Sequence, residues 1–297
     1  MSNYLKVENL NFNYNKNVIL KDISFECTDG ITTLLGSNGA GKTTLMNIIV
    51  GLKNINSGNI SLNGNKLDNV SLNHIGYLPQ NFDIYPNVTG YDFLSYICDL
   101  KNIDKSKKKI IIDDVIDKLN LNSIIKLPFS KYSGGFKRRL GIAQAIIGDP
   151  KLIIIDEPTV GLDPEQRLEF RNYLSVISKN KITIISTHII EDIELYSDKV
   201  LILDKGNLIF NGTIDDIITQ ASSNIKTTIC KVSEFNKIKK SLDIIEEKRL
   251  NNDNIKIKFI NSNIIDLNID ITSDMEVSLE NAYIYIQKLN RKSKKSF

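Results

Sequence analysis

Gly36-Ser37-Asn38-Gly39-Ala40-Gly41-Lys42-Thr43-Thr44 stands between an apolar run, Thr32–Gly36, and a helical pattern, Lys42–Val50. It fits G-x-x-x-x-G-K-[ST] in the strand–loop–helix setting that gives this pattern its meaning. Glycines let backbone amides curl around an anion where a Cβ would collide. The helix N-terminus adds partial positive charge at the same point. The predicted chemistry is a cradle for nucleotide phosphates, lined by Gly36 to Thr44, with Lys42 reaching the β- and γ-phosphates and the Thr43 hydroxyl on Mg²⁺.

A second constellation comes after the run Leu152-Ile153-Ile154-Ile155, which ends in Asp156-Glu157-Pro158. Asp156, at the carboxyl end of a buried strand, is placed to bind Mg²⁺ through water. Glu157, pointing the other way toward the γ-phosphate, is placed to orient or deprotonate the attacking water. His188 comes just after the strand Ile182–Ser186 and Thr187, where it can contact the γ-phosphate and report its presence. Acids and a histidine also end ordinary strands, so the phosphate loop is what gives these residues a catalytic reading. His74, in a polar loop, is read as structural.

Elements to position these groups are visible in the same pattern. Leu5–Tyr14 and Ile19–Cys27 read as an antiparallel pair leading in, and Lys199–Leu203 and Asn207–Asn211 as a hairpin turning at Lys205-Gly206. Short β-type runs alternating with helical patterns predict an α/β core with a largely parallel sheet. Residues 89–147 change character. Thr89 with Asp92 resembles a capping box for the helix Tyr91–Leu100, and Ile112, Val115, Ile116 and Leu119 recur at helical spacing. This is a helical insert. After Gly212, Ile255, Ile257 and Phe259 alternate with Lys256 and Lys258, and Leu267, Ile269 and Ile271 alternate with polar partners. Two half-buried strands and a final helix, Leu279–Leu289, are expected. The predicted organisation is a core over residues 1–219 and an α+β appendage over 220–297 with a basic, solvated end, Arg291-Lys292-Ser293-Lys294-Lys295.

Composition bounds the function. Hydrophobic residues make up 41% of the 297, enough for a folded core, and 38 basic against 35 acidic residues leave a net charge of +3. That balance argues against a nucleic-acid partner. Cys27, Cys98 and Cys230 lie far apart, which suits a reducing cytoplasm. No apolar run approaches the roughly 20 residues needed to span a bilayer, and the first nine positions lack a signal-peptide profile.

Tyr132-Ser133-Gly134-Gly135-Phe136-Lys137-Arg138-Arg139 lies just upstream of the Asp156–Glu157 strand. By its residues it is a Ser-capped helix start with free amides, a second place for a phosphate. It resembles the Ser-Gly-Gly signature of the ABC (ATP-binding cassette) ATPases, and the phosphate loop and carboxylate strand fall in that family's order over residues 3–215. The resemblance implies further roles. Gln80, in Tyr77-Leu78-Pro79-Gln80, is similar to the glutamine that contacts Mg²⁺ and links core to insert. Gly161-Leu162-Asp163 resembles the D-loop beside the nucleotide, and His188 falls where the switch histidine belongs. Tyr14 is placed like the aromatic residue that stacks on adenine, although Phe12 shares its face and both also suit a strand core. Ser133, Gly134 and Gly135 would complete the ATP pocket of an opposing cassette. Phe136 stands where Gln is commoner and Ser37 where Pro is common; neither changes a phosphate-contacting group.

The fold implied is an α/β, ABC-type P-loop ATPase core with an antiparallel β lead-in, a helical subdomain and a small C-terminal appendage. The activity implied is ATP hydrolysis, with ATP and Mg²⁺ bound, at the cytoplasmic face of the cell membrane. The implied partners are a transmembrane permease subunit and a second cassette, identical or different. The Tyr-Ser-Gly-Gly-x-Lys-Arg-Arg form, Gly-Leu-Asp-Pro and Ser278-Leu279-Glu280-Asn281-Ala282-Tyr283 resemble the drug, antibiotic and bacteriocin export branch. The alternative is a soluble ABC ATPase acting on ribosomes or in cofactor assembly. Lys42→Ala is expected to abolish ATP binding, because the γ-phosphate loses its main fixed cation. Titration calorimetry checks this, and an affinity within about threefold of wild type contradicts the assignment.

Overall fold

Leu152–Ile155 is apolar at every position because both faces of its sheet are covered, and all four residues are buried. In the computed structural model, which describes residues 2–67, 74–261, 272–273 and 277–293, this strand lies inside a six-stranded sheet. The chain divides into two units, Met1–Asn211 and Gly212–Phe297.

The first unit begins β1 (Tyr4–Tyr14), β2 (Asn17–Thr28), β3 (Gly30–Leu35), α1 (Lys42–Ile49), β4 (Ser57–Leu62), β5 (Asn65–Lys66) and β6 (Ile75–Leu78). Helices α2 (Gly90–Leu100), α3 (Lys105–Lys118) and α4 (Gly134–Ile146) come next, the last after a short 3₁₀ turn at Phe129–Lys131. Then come β7 (Leu152–Ile155), α5 (Pro164–Ile177), β8 (Ile182–Thr187), α6 (Ile190–Tyr196), β9 (Lys199–Asp204) and β10 (Asn207–Gly212). The central sheet runs β10-β9-β3-β8-β7-β6, and β9, β3, β8, β7 and β6 are mutually parallel. The lead-in sheet runs β2-β1-β4-β5, so β1 pairs antiparallel with both β2 and β4. The antiparallel lead-in pair was legible in the sequence; β4, which pairs with β1, and β5, which pairs with β4, were not.

Strand alternation sorts the core into two layers. Leu152 and Ile154 point toward α1 and the lead-in sheet, in a cluster with Leu5, Phe25, Leu45 and Met46. Ile153 and Ile155 point the other way, to Leu94 of α2, Ile112 and Ile116 of α3, and Phe170 and Leu174 of α5. The residues at helical spacing, Ile112, Val115 and Ile116, are the buried positions of α3. Thr89 caps α2 as expected, its hydroxyl accepting from Asp92 N at 3.1 Å.

The second unit holds α7 (Ile214–Ser222), β11 (Ile225–Lys231), α8 (Val232–Ser241), β12 (Asp243–Arg249), β13 (Asn254–Ile260), β14 (Thr272–Ser273) and α9 (Leu279–Ser293). Its sheet order is β12-β13-β11-β14. Ile257 and Phe259 of β13 pack with Cys230 and with Ile238 of α8. Lys258, the polar partner in that alternation and on the opposite face, is only 9% exposed. Helix α9 covers that face. Lys258 Nζ donates to Asn281 Oδ1 at 3.0 Å, and Asn281 Nδ2 donates to Glu246 Oε2 at 2.9 Å.

The basic end is solvated at Arg291 and Lys292, both exposed, as its sequence implied. Arg291 and Lys292 continue α9, and Lys292 Nζ lies 2.9 Å from Asp243 Oδ2, with Lys288 on the other carboxylate oxygen. Burial pushes the Asp243 carboxyl up, but the two ammonium groups outweigh it and hold the carboxyl below its usual range. The strand expected at Leu267–Ile271 and the end from Lys294 lie outside the described residues. Among the described residues no helix is long and apolar enough to cross a membrane, and all three cysteines are buried and free.

One close approach fixes α4 on the edge of the central sheet. A Cβ on Gly76 of β6 would lie 2.0 Å from the Ala145 carbonyl oxygen. Gly76→Ala is therefore expected to force α4 off β6 and destabilise the first unit by about 1–3 kcal/mol. A urea-denaturation midpoint followed by circular dichroism checks it; an unchanged midpoint contradicts this packing.

Candidate active site

Adjacent parallel strands end level with one another, and the site is built from the residues just beyond those ends. Leu35 of β3 pairs with Thr187 of β8, Ile185 of β8 with Ile155 of β7, and Ile155 with Leu78 of β6. The phosphate loop, His188, Asp156-Glu157 and Gln80 therefore leave the sheet along one edge. Two backbone hydrogen bonds extend this alignment past the strands: Gly36 N to Thr187 O at 3.4 Å, and Asp156 N to Leu78 O at 2.9 Å.

Within the phosphate loop, Gly39 and Gly41 have φ of 79° and 110°, the left-handed region that favours glycine. Gly41 is the N-cap of α1. Ser37, Asn38, Gly39 and Thr43 are exposed, Thr44 is half-buried, and Gly36, Ala40 and Lys42 are buried. Lys42 Nζ donates to Gly36 O at 2.7 Å and Ser37 O at 3.3 Å, which holds its charge over the loop.

Glu157 is the centre of the site. Its carboxylate is 3.3 Å from Lys42 Nζ, accepts from Gln80 Nε2 at 3.1 Å, and lies 3.4 Å from His188 Nδ1. Its backbone is left-handed, φ 46°, which a glutamate adopts only when neighbours impose it. The neighbours are Ser186, whose Oγ accepts from Glu157 N at 2.8 Å, and Arg138, whose Nη1 donates to Glu157 O at 3.2 Å. Ser186 also donates to Asp156 Oδ1 at 2.5 Å, so a single hydroxyl fixes both acids. The left-handed residue after Asp156 is what turns the two carboxylates to different neighbours.

Other residues singled out in the sequence have separate surroundings. Phe12 is buried at 7% exposure while Tyr14 is 42% exposed, edge-on to Phe12 and with Lys53 Nζ 4.9 Å from its ring centre. Phe12 is thus the strand-core aromatic of the pair, and the Tyr14 ring lies at the surface. Ser133 is the N-cap of α4, with a long 3.5 Å hydrogen bond from Phe136 N. A Cβ on Gly134 or Gly135 would meet nothing within 4 Å. Asp163 caps α5, accepting from Gln166 N at 2.8 Å, and its side chain joins none of the contacts around Glu157.

Some residues of the site were not singled out in the sequence. Ser186 could have been found as the polar position closing an otherwise Ile-rich strand. Arg138 was part of a quoted motif, but nothing in the sequence says which of two adjacent arginines faces Glu157. Burial pushes the Arg138 pKa down. Asp192 of α6 is fully buried; Thr159 and Thr187 both donate to its Oδ2, tying the loop after Glu157 to the loop before His188. Tyr77, hydrogen-bonded to Asn47 at 3.0 Å, is pushed up to about 12 by burial and by the negative charge of Asp156.

A metal would find limited but suitable donors. Asp156 Oδ2 is buried and has no hydrogen-bond partner, which leaves it free for a cation or its water. Among the described residues no group of three or more acidic, His or Cys side chains forms a cage. That suits Mg²⁺, which keeps waters and takes most of its remaining ligands from phosphate oxygens.

Residues 20–160 match the family described as ABC transporter. The chain is 33% identical over 237 residues to the linearmycin resistance ATP-binding protein LnrL of Bacillus subtilis, covering 77% of this chain and 76% of that one. It is 34% identical over 213 residues to the lantibiotic transport ATP-binding protein SrtF of Streptococcus pyogenes, covering 71% and 91%. A solved structure of an ATP-binding subunit of an ABC transporter superposes with a TM-score of 0.66 at 28% identity, covering 73% of this chain and 92% of that one.

Ser186→Ala would leave the Glu157 N–H and Asp156 Oδ1 buried without their shared partner. The expected result is a loss of about 1–3 kcal/mol in unfolding free energy, measured by urea denaturation. A loss within the error of that measurement would remove Ser186 from its bridging role.

Proposed function

The chain belongs to the ATP-binding subunits of ABC transporters, and from that premise we propose how its residues bind and hydrolyse ATP and what they drive. The observation that carries the reading is the Glu157 carboxylate, gathered with Lys42, Gln80 and His188 at the carboxyl ends of parallel strands.

ATP lies with its phosphates in the Gly36–Thr44 loop and its base on Tyr14. Lys42 leaves the Gly36 carbonyl for the β- and γ-phosphates. Thr43, Gln80 and, through water, Asp156 would hold Mg²⁺, which when bound would supply neutralisation of phosphate charge. Glu157, released from Lys42 by that move, accepts a hydrogen bond from the attacking water and takes its proton as the oxygen approaches the γ-phosphorus in line. His188 turns from Glu157 to the γ-phosphate and stabilises charge there. Ser133, Gly134 and Gly135 of a second cassette close the pocket from the far side, with Asp163 at the seam between the two.

The motion of closure passes to a separate permease in the membrane, at whose cytoplasmic face the subunit sits. The segment after Gln80 supports this. Ile84, Tyr85, Pro86, Val88, Phe93 and Tyr96 line a largely apolar cleft of about 690 Å³, with Tyr85 82% exposed. Such a cleft suits the apolar end of a permease helix. The cargo is proposed to be an exported drug, antibiotic or peptide, by likeness to relatives named for linearmycin resistance and lantibiotic transport.

Glu157→Gln keeps the shape and the Gln80 contact but removes the base. It is expected to bind ATP normally, hydrolyse it about 10²–10⁴-fold more slowly, and elute from gel filtration with ATP as a dimer. Wild-type turnover in this variant would remove Glu157 from catalysis.

A further inference from the structure

Glu157 is the one glutamate among the described non-glycine residues with positive φ; the others are Asn, Asp and Lys205. Asn and Asp visit this conformation with local hydrogen bonds of their own. Glu157 relies on its surroundings. Its N–H is held from β8 by Ser186, and its carbonyl oxygen is held from α4 by Arg138 at 3.2 Å.

The two ends of α4 differ in how they are held. The far end is seated on β6, by Gly76 against Ala145 and by Gln144 Nε2 donating to Tyr77 O at 2.6 Å. The near end, Ser133 to Gly135, has a long cap and two glycines with open space around them. Arg138 lies one turn beyond Gly135, on the same side of the helix. The next arginine faces elsewhere: Arg139 stacks on the Phe136 ring at 4.1 Å and donates to Tyr173 OH at 3.2 Å on α5. The tandem arginines are thus divided, one to the packing of α4 on α5 and one to the backbone of Glu157.

We infer that Arg138 is a positioning residue through which α4 sets the backbone of Glu157, so that hydrolysis in one cassette depends on what the N-terminus of α4 holds in the facing site. The inference rests on the two-cassette reading above. A phosphate captured by Ser133 and Gly135 draws the N-terminus of α4, and the guanidinium one turn along moves with it. When the guanidinium meets the Glu157 carbonyl, the left-handed turn is held and the carboxylate stays at the phosphate loop. When it withdraws, the turn relaxes and the carboxylate leaves its alignment with the water. Each cassette then fires in response to ATP bound by the signature of α4, not only to ATP in its own loop.

The experiment uses the full chain with Arg138→Met, which keeps the length of the stem and removes the donor, and Arg138→Lys, which keeps a charged donor. Three quantities are read: affinity for a fluorescent ATP analogue, maximal turnover, and the Hill coefficient of turnover against ATP. R138M is expected to bind the analogue within about threefold of wild type. Its turnover is expected to fall about tenfold, the effect of one charged hydrogen bond, and its Hill coefficient to drop from above one to one. R138K should recover part of both. If R138M does not fold, Arg138→Gln takes its place with the same direction and a smaller loss. Turnover and Hill coefficient as in wild type overturn the inference, as does R138K no better than R138M, since packing alone would then explain the loss. A companion arm separates the two readings. Glu157→Gln with ATP should be dimeric, with or without R138M. A monomeric E157Q overturns the two-cassette reading and the inference together; a dimeric E157Q beside an unaffected R138M overturns the inference alone.

Discussion

A carboxylate and an ammonium group taken out of water at 3.3 Å from each other set the terms for the rest of this structure. Lys42 and Glu157 are 4% and 8% exposed at their side chains, and ions so buried are tolerated only when further groups satisfy them. Those groups come from separate segments: two loop carbonyls for Lys42, and the amide of Gln80 and the ring of His188 for Glu157. No single element could supply them. A parallel sheet whose strand ends lie level can, and this is why the grouping of these side chains and the sheet register are one problem.

The price of that arrangement appears in the backbone and in polar atoms without partners. Glu157 is left-handed, and Asp156 Oδ2 is buried unpaired beside it. A further cluster lies behind the site. Asp192 Oδ1, Arg167 Nε and the Tyr196 hydroxyl are all buried without hydrogen bonds, although Arg167 Nη1 is 4.0 Å from Asp192 Oδ1. Burial, with the Asp192 charge adding to it, pushes Tyr196 well above the usual tyrosine range. Only the other Asp192 oxygen is satisfied, by Thr159 after Glu157 and Thr187 before His188, so the orphaned atoms sit beside the one side chain that links those two segments.

How much of this was legible depended on whether a residue's role is local. The phosphate loop was, because its glycines, lysine and helix start lie in one contiguous stretch. The buried strands were, because being covered on two faces leaves runs such as Leu152–Ile155 without polar alternation. The α3 core came from spacing alone. The burial of Lys258 was not legible, because alternation marks a solvated face only if nothing covers it, and α9 arrives to cover it from more than twenty positions along the chain. The lead-in strands β4 and β5 carry no alternation of their own: β4, half polar and with a glycine, takes its form from pairing with β1, and the two-residue β5 from pairing with β4. Ser186 and Arg138 carry signals too weak to rank, since what they do is decided by the backbone of a residue far along the chain.

Asp163 and the signature glycines invite opposite arguments from the same kind of observation. Asp163 has a sufficient local reason to be Asp: it caps α5 with a 2.8 Å hydrogen bond and faces solvent. Its type alone therefore says nothing about a ligand. Gly134 and Gly135 have no such reason. Neither has positive φ, and a side chain added to either would meet only open space. Glycine loses the most conformational freedom on folding, so two in succession at the first turn of α4 add ordering entropy without adding a contact inside the chain. What they leave is room for something that approaches the helix start more closely than a Cβ allows. The neighbouring N-cap, stretched to 3.5 Å, leaves the first amides of α4 poorly satisfied by their own chain. An anion presented by a second molecule answers both features at once, which is why the sequence of α4 supports a paired cassette more strongly than any surface of the isolated subunit does.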